Sequence, residues 1–253
     1  MFAYNQALDD LKPVADKPAP RPFIPPSTEE NRGEDPICAL RLHTCRLHYA
    51  LEKTPSAQTL LSPKITLQRY AENLVIWAAA WQTIEHVLYE SPFAKKVPQL
   101  LPRPRACLVD ADLAYLYSQS GVRHDDKSSR HSAVEVLSFE PVNLSSFIGV
   151  CYVIVGASLG SVIIAKHLDA TLDVKEGNGA SFFSAGCGEQ LSFTQWIRSA
   201  NEILSVEKDI SAACRGAIAT FEFLLTAFST STFDAIDDVM DIDDPKPADT
   251  RTG

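Results

Sequence analysis

The sequence predicts an all-α fold with one large domain. Between residues 37 and 228, apolar residues recur at steps of three and four along several segments, which is the spacing of one helix face. The alternating series of strands and helices that an α/β fold needs is not apparent. A composition of 45% hydrophobic and 22% charged residues in 253 is ordinary for a globular chain. We therefore predict a single-domain, multi-helix bundle over residues 37–228.

The two ends of the chain differ from this central region in composition. Residues 1–36 hold seven of the sixteen prolines and include PAPRPFIPP, which predicts a flexible N-terminal extension. Residues 229–253 carry seven acidic and two basic residues, and we expect an acidic disordered tail. Of the net charge of -9, residues 1–35 contribute -3 and residues 229–253 contribute -5, so the central region is nearly neutral. This distribution disfavours binding to nucleic acid.

Signals for export and for membrane insertion are weak. We take Leu74–Trp81 as the longest apolar run, and it is soon interrupted by Glu85 and His86, well short of the roughly 20 residues that cross a bilayer. Asp9 and Asp10 stand where a secretory signal would carry basic residues. The six cysteines include no C-x-x-C pair, which favours reduced thiols over disulfides or a zinc site. We expect a cytoplasmic monomer without a membrane span.

Proline, glycine and capping signals divide the central region into six expected helices. Pro92 ends the second helix and Pro141 opens the fourth. Ser192 begins S-F-T-Q, a capping box with Gln195 at the N3 position. The expected ranges are 37–53, 65–90, 110–119, 141–168, 192–204 and 206–228.

The first two helices each present a face that predicts burial, because its residues repeat at helical spacing. In the first helix this face holds Leu40, Thr44, Leu47, His48 and Leu51. In the second helix the stripe holds Trp77, Trp81, Ile84 and Leu88.

The segment Gly149–Leu168, GVCYVIVGASLGSVIIAKHL, permits two interpretations. A β-branched run followed by G-A-S-L-G is compatible with a strand and a nucleophile elbow, in which Ser158 is the nucleophile of a serine hydrolase. Such an enzyme needs a base histidine later in the chain, and the only later histidine is His167, in the same expected helix. It also needs alternating strands. We therefore favour a helix.

As a helix, this segment places Gly156 and Gly160 one turn apart on the face that also holds Gly149 and Tyr152. A glycine inside a helix costs about 1 kcal/mol relative to alanine, so two of them need a reason. One reason is close packing against another helix, and the other is a planar ligand that lies on the exposed backbone. The segment alone favours packing.

The order of several motifs resembles one known family. L-R-x-x-T-x-x-x-H-x-x-L-E, from Leu40 to Glu52, is similar to the proximal helix of heme oxygenases, and G-A-S-L-G resembles their kinked, glycine-rich distal helix. The nearest likeness is to the heme oxygenases that accompany phytochromes. The resemblance spans nearly all of residues 37–228 and implies a bundle that holds heme between the two helices. The other motifs in family order are LVDADLAYL at 108–116, SFF at 181–183 and FTQWIRS at 193–199.

The resemblance implies oxidative cleavage of heme to biliverdin, carbon monoxide and Fe²⁺, with O₂ and electrons from an external reductase or ferredoxin. It makes His48 the axial ligand of the heme iron, where the residues alone would favour a satisfied core histidine. It makes Arg41 and Arg198 contacts of the heme propionates, with solvated surface charges as the alternative. It lets Tyr152 donate a hydrogen bond nearby, with a core tyrosine as the alternative.

For catalysis the resemblance implies positioning rather than a nucleophile. Gly156 and Gly160 would let the distal backbone approach the ligand side of the iron. Some family members carry an acidic residue after the first distal glycine, where this chain has Ala157, and Ser158 is a partial substitute. These departures leave open the proton supply and the choice of meso carbon. Two further departures are Ser161, in place of a third glycine, and Thr194, in place of a basic propionate contact.

Several alternatives remain open at this point. A non-catalytic heme-binding or sensor protein of the same fold is supported by Ala157, and a serine hydrolase would use Ser158. A di-iron carboxylate bundle is disfavoured, because glutamate does not precede the histidines at the required spacing. A thiaminase-like relative would need a cysteine nucleophile, for which Cys151 and Cys187 are candidates by elimination. The expected partners are an electron-donor protein and a phytochrome or another biliverdin-using protein.

Overall fold

Eight α-helices and two short 3₁₀ turns, Pro98–Leu100 and Ala106–Leu108, build the part of the chain that the computed structural model describes. The described residues are 35–119, 121–123, 140–185, 192–207 and 209–229, and they contain no β-strand beyond isolated bridges at Lys175. The all-α prediction is confirmed, whereas the expectations for residues 1–34 and 230–253 lie outside the described residues. The helices are α1 (Pro36–Glu52), α2 (Pro55–Leu60), α3 (Leu67–Glu90), α4 (Val109–Ser118), α5 (Leu144–Leu172), α6 (Ser181–Ser184), α7 (Phe193–Glu207) and α8 (Ile210–Ser229).

Side-chain caps set where the helices around the site begin. The Asp35 carboxylate caps α1, whose first residue is a proline that has no amide hydrogen to satisfy. Asn143 and Ser146 cap α5 reciprocally. At α7 the predicted capping box is confirmed, because the Ser192 amide donates to Gln195 Oε1 and the Gln195 amide donates to Ser192 Oγ.

The helices differ from the prediction in three places. Helix α5 begins after Asn143 rather than at Pro141, since the asparagine supplies the cap. Helix α7 continues to Glu207, so the last helix starts at Ile210, later than predicted. The short helix α2 was not predicted, although Thr54 caps it and a proline follows at its first position.

Helix α8 is the element against which α1, α3 and α5 pack. The Phe228 ring of α8 stacks on Trp77 of α3 with centroids 4.4 Å apart, and Trp77 stacks on Trp81 at 5.3 Å. Aromatic side chains of this size bury the largest apolar areas in a core. The predicted buried stripe of α3 is confirmed for Trp77, Trp81, Ile84 and Leu88.

Helices α5 and α8 approach each other most closely at Gly149 and Gly216. A Cβ atom on Gly149 would overlap the carbonyl of Ala213, and a Cβ atom on Gly216 would overlap the carbonyl of Ser146. Only glycine lets two helix backbones touch in this way. The start of α5 is therefore fixed directly against the first half of α8.

Two helices, α5 and α8, are long and apolar enough to cross a membrane by length and composition. The expectation of no membrane span was based on Leu74–Trp81 and did not consider these two helices. In each helix the most apolar window of 18 residues is partly buried inside the fold, 61% of it in α5 and 56% in α8. Core helices of a bundle have the same character, so these two helices are weak evidence for a membrane span.

Replacing either close-contact glycine is expected to destabilise the protein. Gly149→Ala and Gly216→Ala each insert a methyl group into the α5–α8 backbone contact, which should lower the free energy of unfolding by about 1–3 kcal/mol. Urea unfolding of the apo-protein, followed by circular dichroism, measures this loss. Unchanged midpoints for both variants would contradict the described contact.

Candidate functional site

His48 lies on α1 beside α8, and its side chain is open to solvent. The side chain is 60% exposed, and its ring meets the edge of Phe221 with centroids 5.9 Å apart. The prediction that this face of α1 is buried holds for Leu40 and Thr44 and is wrong for His48. Helix α1 therefore leaves the imidazole available to a ligand.

Glu52 lies one turn after His48 on α1. Its Oε1 atom is 3.3 Å from His48 Nδ1, and both side chains are more than half exposed. A carboxylate that accepts from an Nδ1–H group favours the tautomer with a lone pair on Nε2, which a metal ligand needs. Glu52 is therefore placed where it can act on the imidazole once a ligand binds, and its i,i+4 spacing from His48 was a usable signal in the sequence.

A metal ion bound at His48 has to bring other ligands with it. Among the described residues, no group of three or more His, Cys, Asp and Glu side chains is placed to hold a metal. An iron atom in a porphyrin carries four ring nitrogens and needs an axial imidazole, so one oriented histidine is a suitable donor set. The residues on α1 therefore fit a heme better than a free metal ion.

Gly156 and Gly160 face open space on α5. A Cβ atom at either position would meet no atom within 4 Å, in contrast to Gly149 on the same stripe. Close helix packing therefore explains Gly149 and does not explain Gly156 or Gly160. Their bare backbone borders a space that a planar ligand can enter.

The exposed histidine and the bare glycines lie at a similar level along α8. Asn143 Nδ2, at the start of α5, donates to Asp209 Oδ2, at the start of α8. Further along, Gly149 of α5 contacts Ala213 of α8, so the two helices run in the same direction. Gly156 is about two turns beyond Gly149, and Phe221 is about two turns beyond Ala213. Because His48 contacts Phe221, α1 and α5 each bring one candidate ligand surface to this level.

Tyr152 of α5 lies near Arg41 of α1. Its ring lies 6.4 Å from that of Trp196 of α7. Burial raises the pKa of the Tyr152 phenol, and the positive charge of Arg41 opposes this rise. The phenol therefore stays protonated at neutral pH and can donate a hydrogen bond. Arg41, expected at a propionate, and Tyr152, expected to donate a hydrogen bond nearby, are thus close to each other.

Two other predicted site residues lie on α7 and α5. Arg198 is exposed on α7, whereas Trp196, two positions earlier, is buried. Ser158 is 5% exposed and lies about 200° around α5 from Gly156. Ser158 thus occupies the opposite side of the helix from the open space, which does not agree with its expected role as a substitute for an acidic residue.

The structure contradicts the serine hydrolase interpretation. Ser158 lies in the middle of the continuous helix α5, where a nucleophile elbow requires a strand, a sharp turn and a helix. His167 Nε2 is 2.9 Å from the carbonyl oxygen of Ser62 on another part of the chain. Burial raises the pKa of the Cys151 thiol, which disfavours a thiolate nucleophile there, and Cys187 lies outside the described residues.

Arg105 is a buried residue near the glycines that the sequence analysis missed. It lies just before α4, is 2% exposed, and its Nη1 atom donates to Ser161 Oγ at 2.9 Å. Ser161 Oγ donates in turn to the carbonyl oxygen of Ala157 at 3.1 Å. An arginine in a proline-rich connection gives no sequence signal for burial, because arginine is usually exposed.

The family comparison agrees with this geometry. The chain matches the heme oxygenase family model over residues 37–230, and it therefore belongs to the heme oxygenase family. Its fold is similar to that of heme oxygenase from Leptospira interrogans, with a TM-score of 0.57, 19% identity, and coverage of 77% of this chain and 98% of that one. The predicted family is confirmed, and the likeness to phytochrome-associated members stays a prediction.

A second solved structure supports the same fold. Heme oxygenase-1 from the cyanobacterium Synechocystis, solved in complex with heme, is similar with a TM-score of 0.50 and 15% identity, covering 75% of this chain and 90% of that one. No curated protein matches the sequence.

The two open glycines should tolerate alanine in the apo-protein. Gly156→Ala and Gly160→Ala each add a methyl group where no atom lies within 4 Å, so helix propensity should stabilise the fold by up to about 1 kcal/mol. Urea unfolding beside Gly149→Ala, from the same helix stripe, provides the matched comparison. A loss as large as that of Gly149→Ala would show that the open space is not present in solution.

Proposed function

We propose that this protein is a heme oxygenase that cleaves heme to biliverdin, carbon monoxide and Fe²⁺, with O₂ and electrons from an external donor. The observation that carries this proposal is the bare backbone of Gly156 and Gly160 on α5, which faces open space, and the exposed imidazole of His48 on α1 supports it. A flat ligand with a metal at its centre fits between an imidazole and a helix surface without side chains. Membership of the heme oxygenase family supports the reaction.

His48 would hold the iron through Nε2. Glu52, whose Oε1 atom is 3.3 Å from Nδ1, would accept a hydrogen bond from the Nδ1–H group and so favour a lone pair on Nε2. A bound heme supplies both the iron at which O₂ is activated and the meso carbon that is oxidised. Because the edge of Phe221 lies beside the ring, rotation of the imidazole is also restricted on that side.

Arg41 and Tyr152 would orient the heme within its plane. The guanidinium offers paired N–H donors to a propionate, and the protonated phenol offers one more. Fixing the propionates fixes the rotation of the ring, and this decides which meso carbon faces α5. Arg198, exposed on α7, is proposed as a second and more distant cation for the propionates.

Gly156 and Gly160 would set how closely α5 approaches the ring. No side chain projects from either position. A small ligand bound to the iron would therefore contact only the helix backbone there. Ala157 follows Gly156 and cannot hold or transfer a proton. We therefore propose that water delivers the protons on this side.

A second candidate function follows from the same alanine. An acidic residue after the first glycine would anchor water, and Ala157 offers only its carbonyl, which already accepts from Ser161. A heme-binding or sensor protein with slow turnover is therefore the alternative. It requires the same contacts at His48, Arg41 and Tyr152.

The proposal also includes partners and location. The reaction consumes electrons, which we assign to an external reductase or ferredoxin. A phytochrome or another biliverdin-using protein is the proposed recipient of the product, on the strength of the sequence resemblance. We propose that the protein acts as a cytoplasmic monomer.

Hemin titration tests the proposed axial ligand. Wild type should bind hemin one-to-one with a saturable Soret band, and His48→Ala should lose or alter that band, because it lacks the proposed ligand. His43→Ala, an exposed histidine on the same helix, is the matched control and should behave as wild type. An unchanged spectrum for His48→Ala would remove this residue from the iron.

Turnover separates the enzyme from the binding protein. Ascorbate or a reductase, added to the hemin complex in air, should bleach the Soret band and give the green spectrum of biliverdin. Ala157→Asp should speed this reaction if proton supply limits it, whereas Ala157→Asn, of similar size but not ionisable, should not. A stable Soret band in wild type and in Ala157→Asp would instead favour the sensor function.

A further inference from the structure

A buried contact lies on α5 beside its open glycines. Arg105 Nη1 donates to Ser161 Oγ at 2.9 Å, and Ser161 Oγ donates to the carbonyl oxygen of Ala157 at 3.1 Å. Ala157 follows Gly156 and Ser161 follows Gly160. The contact therefore acts on the one helical turn that separates the two glycines.

Arg105 is itself held firmly by two other helices. Its backbone amide donates to Glu85 Oε1 of α3 at 2.8 Å. Its guanidinium carbon lies 4.9 Å from the Trp81 ring centroid of α3 and 5.4 Å from that of Phe182 of α6. Such stacking restricts the guanidinium plane. Arg105 is thus held by α3 and α6, and from this position it donates to Ser161 of α5.

This turn is where α5 has the least support of its own. Gly156 and Gly160 each lower helix stability by about 1 kcal/mol relative to alanine, and nothing packs on the side where their Cβ atoms would project. A serine hydroxyl that bonds back to the preceding turn tends to bend a helix. The geometry of α5 in this turn is therefore sensitive to the contact with Arg105.

Burial of Arg105 also needs a reason. Only 2% of this residue is exposed, and burying a guanidinium costs free energy unless its hydrogen bonds and ring contacts compensate. Apolar residues could fill the same volume without that cost. Fixing the geometry of α5 is a role that an apolar residue could not serve, because it could not bond to Ser161.

We propose that Arg105 is a positioning residue which, through Ser161, restrains the turn of α5 between Gly156 and Gly160 and so sets how their backbone meets the heme. This inference rests on the proposed function. Since steric contact on that side selects the meso carbon, loss of the contact should change the biliverdin isomer while leaving His48 and hemin binding intact.

The first test uses the apo-protein. Ser161→Ala removes the acceptor for Arg105, and amides of residues 157–164 should exchange hydrogen about tenfold faster in native-state exchange, as expected for losing a hydrogen bond to a charged group. Thr83→Val is the matched control, because it removes a hydroxyl bond to the carbonyl of Ala79 in α3 without involving an arginine. It should leave exchange in α5 unchanged.

The second test uses the hemin complex. Ser161→Ala and Arg105→Lys should bind hemin with a Kd within about threefold of wild type, because neither touches the proposed ligand. Both should shift the isomer ratio of biliverdin, measured by chromatography, and the C–O stretching frequency of the ferrous carbon monoxide complex. Ser161→Thr keeps the hydroxyl and should restore the wild-type ratio and frequency.

Two results would overturn the proposal. One is wild-type exchange in α5 of Ser161→Ala, and the other is an unchanged isomer ratio and stretching frequency in Ser161→Ala and Arg105→Lys. A wild-type protein that binds no hemin would refute the proposed function and the effect on heme together. The exchange test needs no hemin, so it separately decides whether Arg105 restrains α5.

Discussion

The backbone contact between α5 and α8 at Gly149 and Gly216 determines the geometry of the site. It joins the two helices within their first two turns, where a Cβ atom on either glycine would overlap the other helix. About two turns further along, nothing lies within 4 Å of the Cβ position of Gly156, so the helices have diverged there. Packed helices that cross at an angle separate in this way from their closest point. The open space beside α5 is thus a consequence of how tightly its start is held.

The walls of the site are poorly packed, and their stability comes from other parts of the fold. His48 is mostly exposed, and two glycines face open space within α5, each at a cost in helix stability. The stacked rings of Trp77, Trp81 and Phe228 supply a large buried area about two turns further along α8 than Phe221. A site that is left unfilled by side chains therefore depends on a core that is well filled.

Helix periodicity and capping signals predicted most of the fold, because both are local. The Ser192–Gln195 cap and the buried stripe of α3 follow directly from spacing along the chain. The boundary between α7 and α8 was missed, since Val206 fits the apolar period of the last helix and yet is 77% exposed in α7.

The candidate site needed information that spacing does not contain. Gly149, Gly156 and Gly160 share one stripe, and only the divergence of α8 separates the packing glycine from the two that face open space. The resemblance selected His48 and the glycines, whereas their exposure emerged only from the fold. Arg105 gave no signal in the sequence, because its partner Ser161 is distant along the chain.

The proposed function places a heme between His48 and the bare backbone of α5. A crystal structure of the hemin complex would decide this point. We expect iron bonded to His48 Nε2, propionates near Arg41 and Tyr152, and the opposite face of the ring against Gly156 and Gly160. Iron bonded to another residue, or a heme bound away from α5, would contradict it.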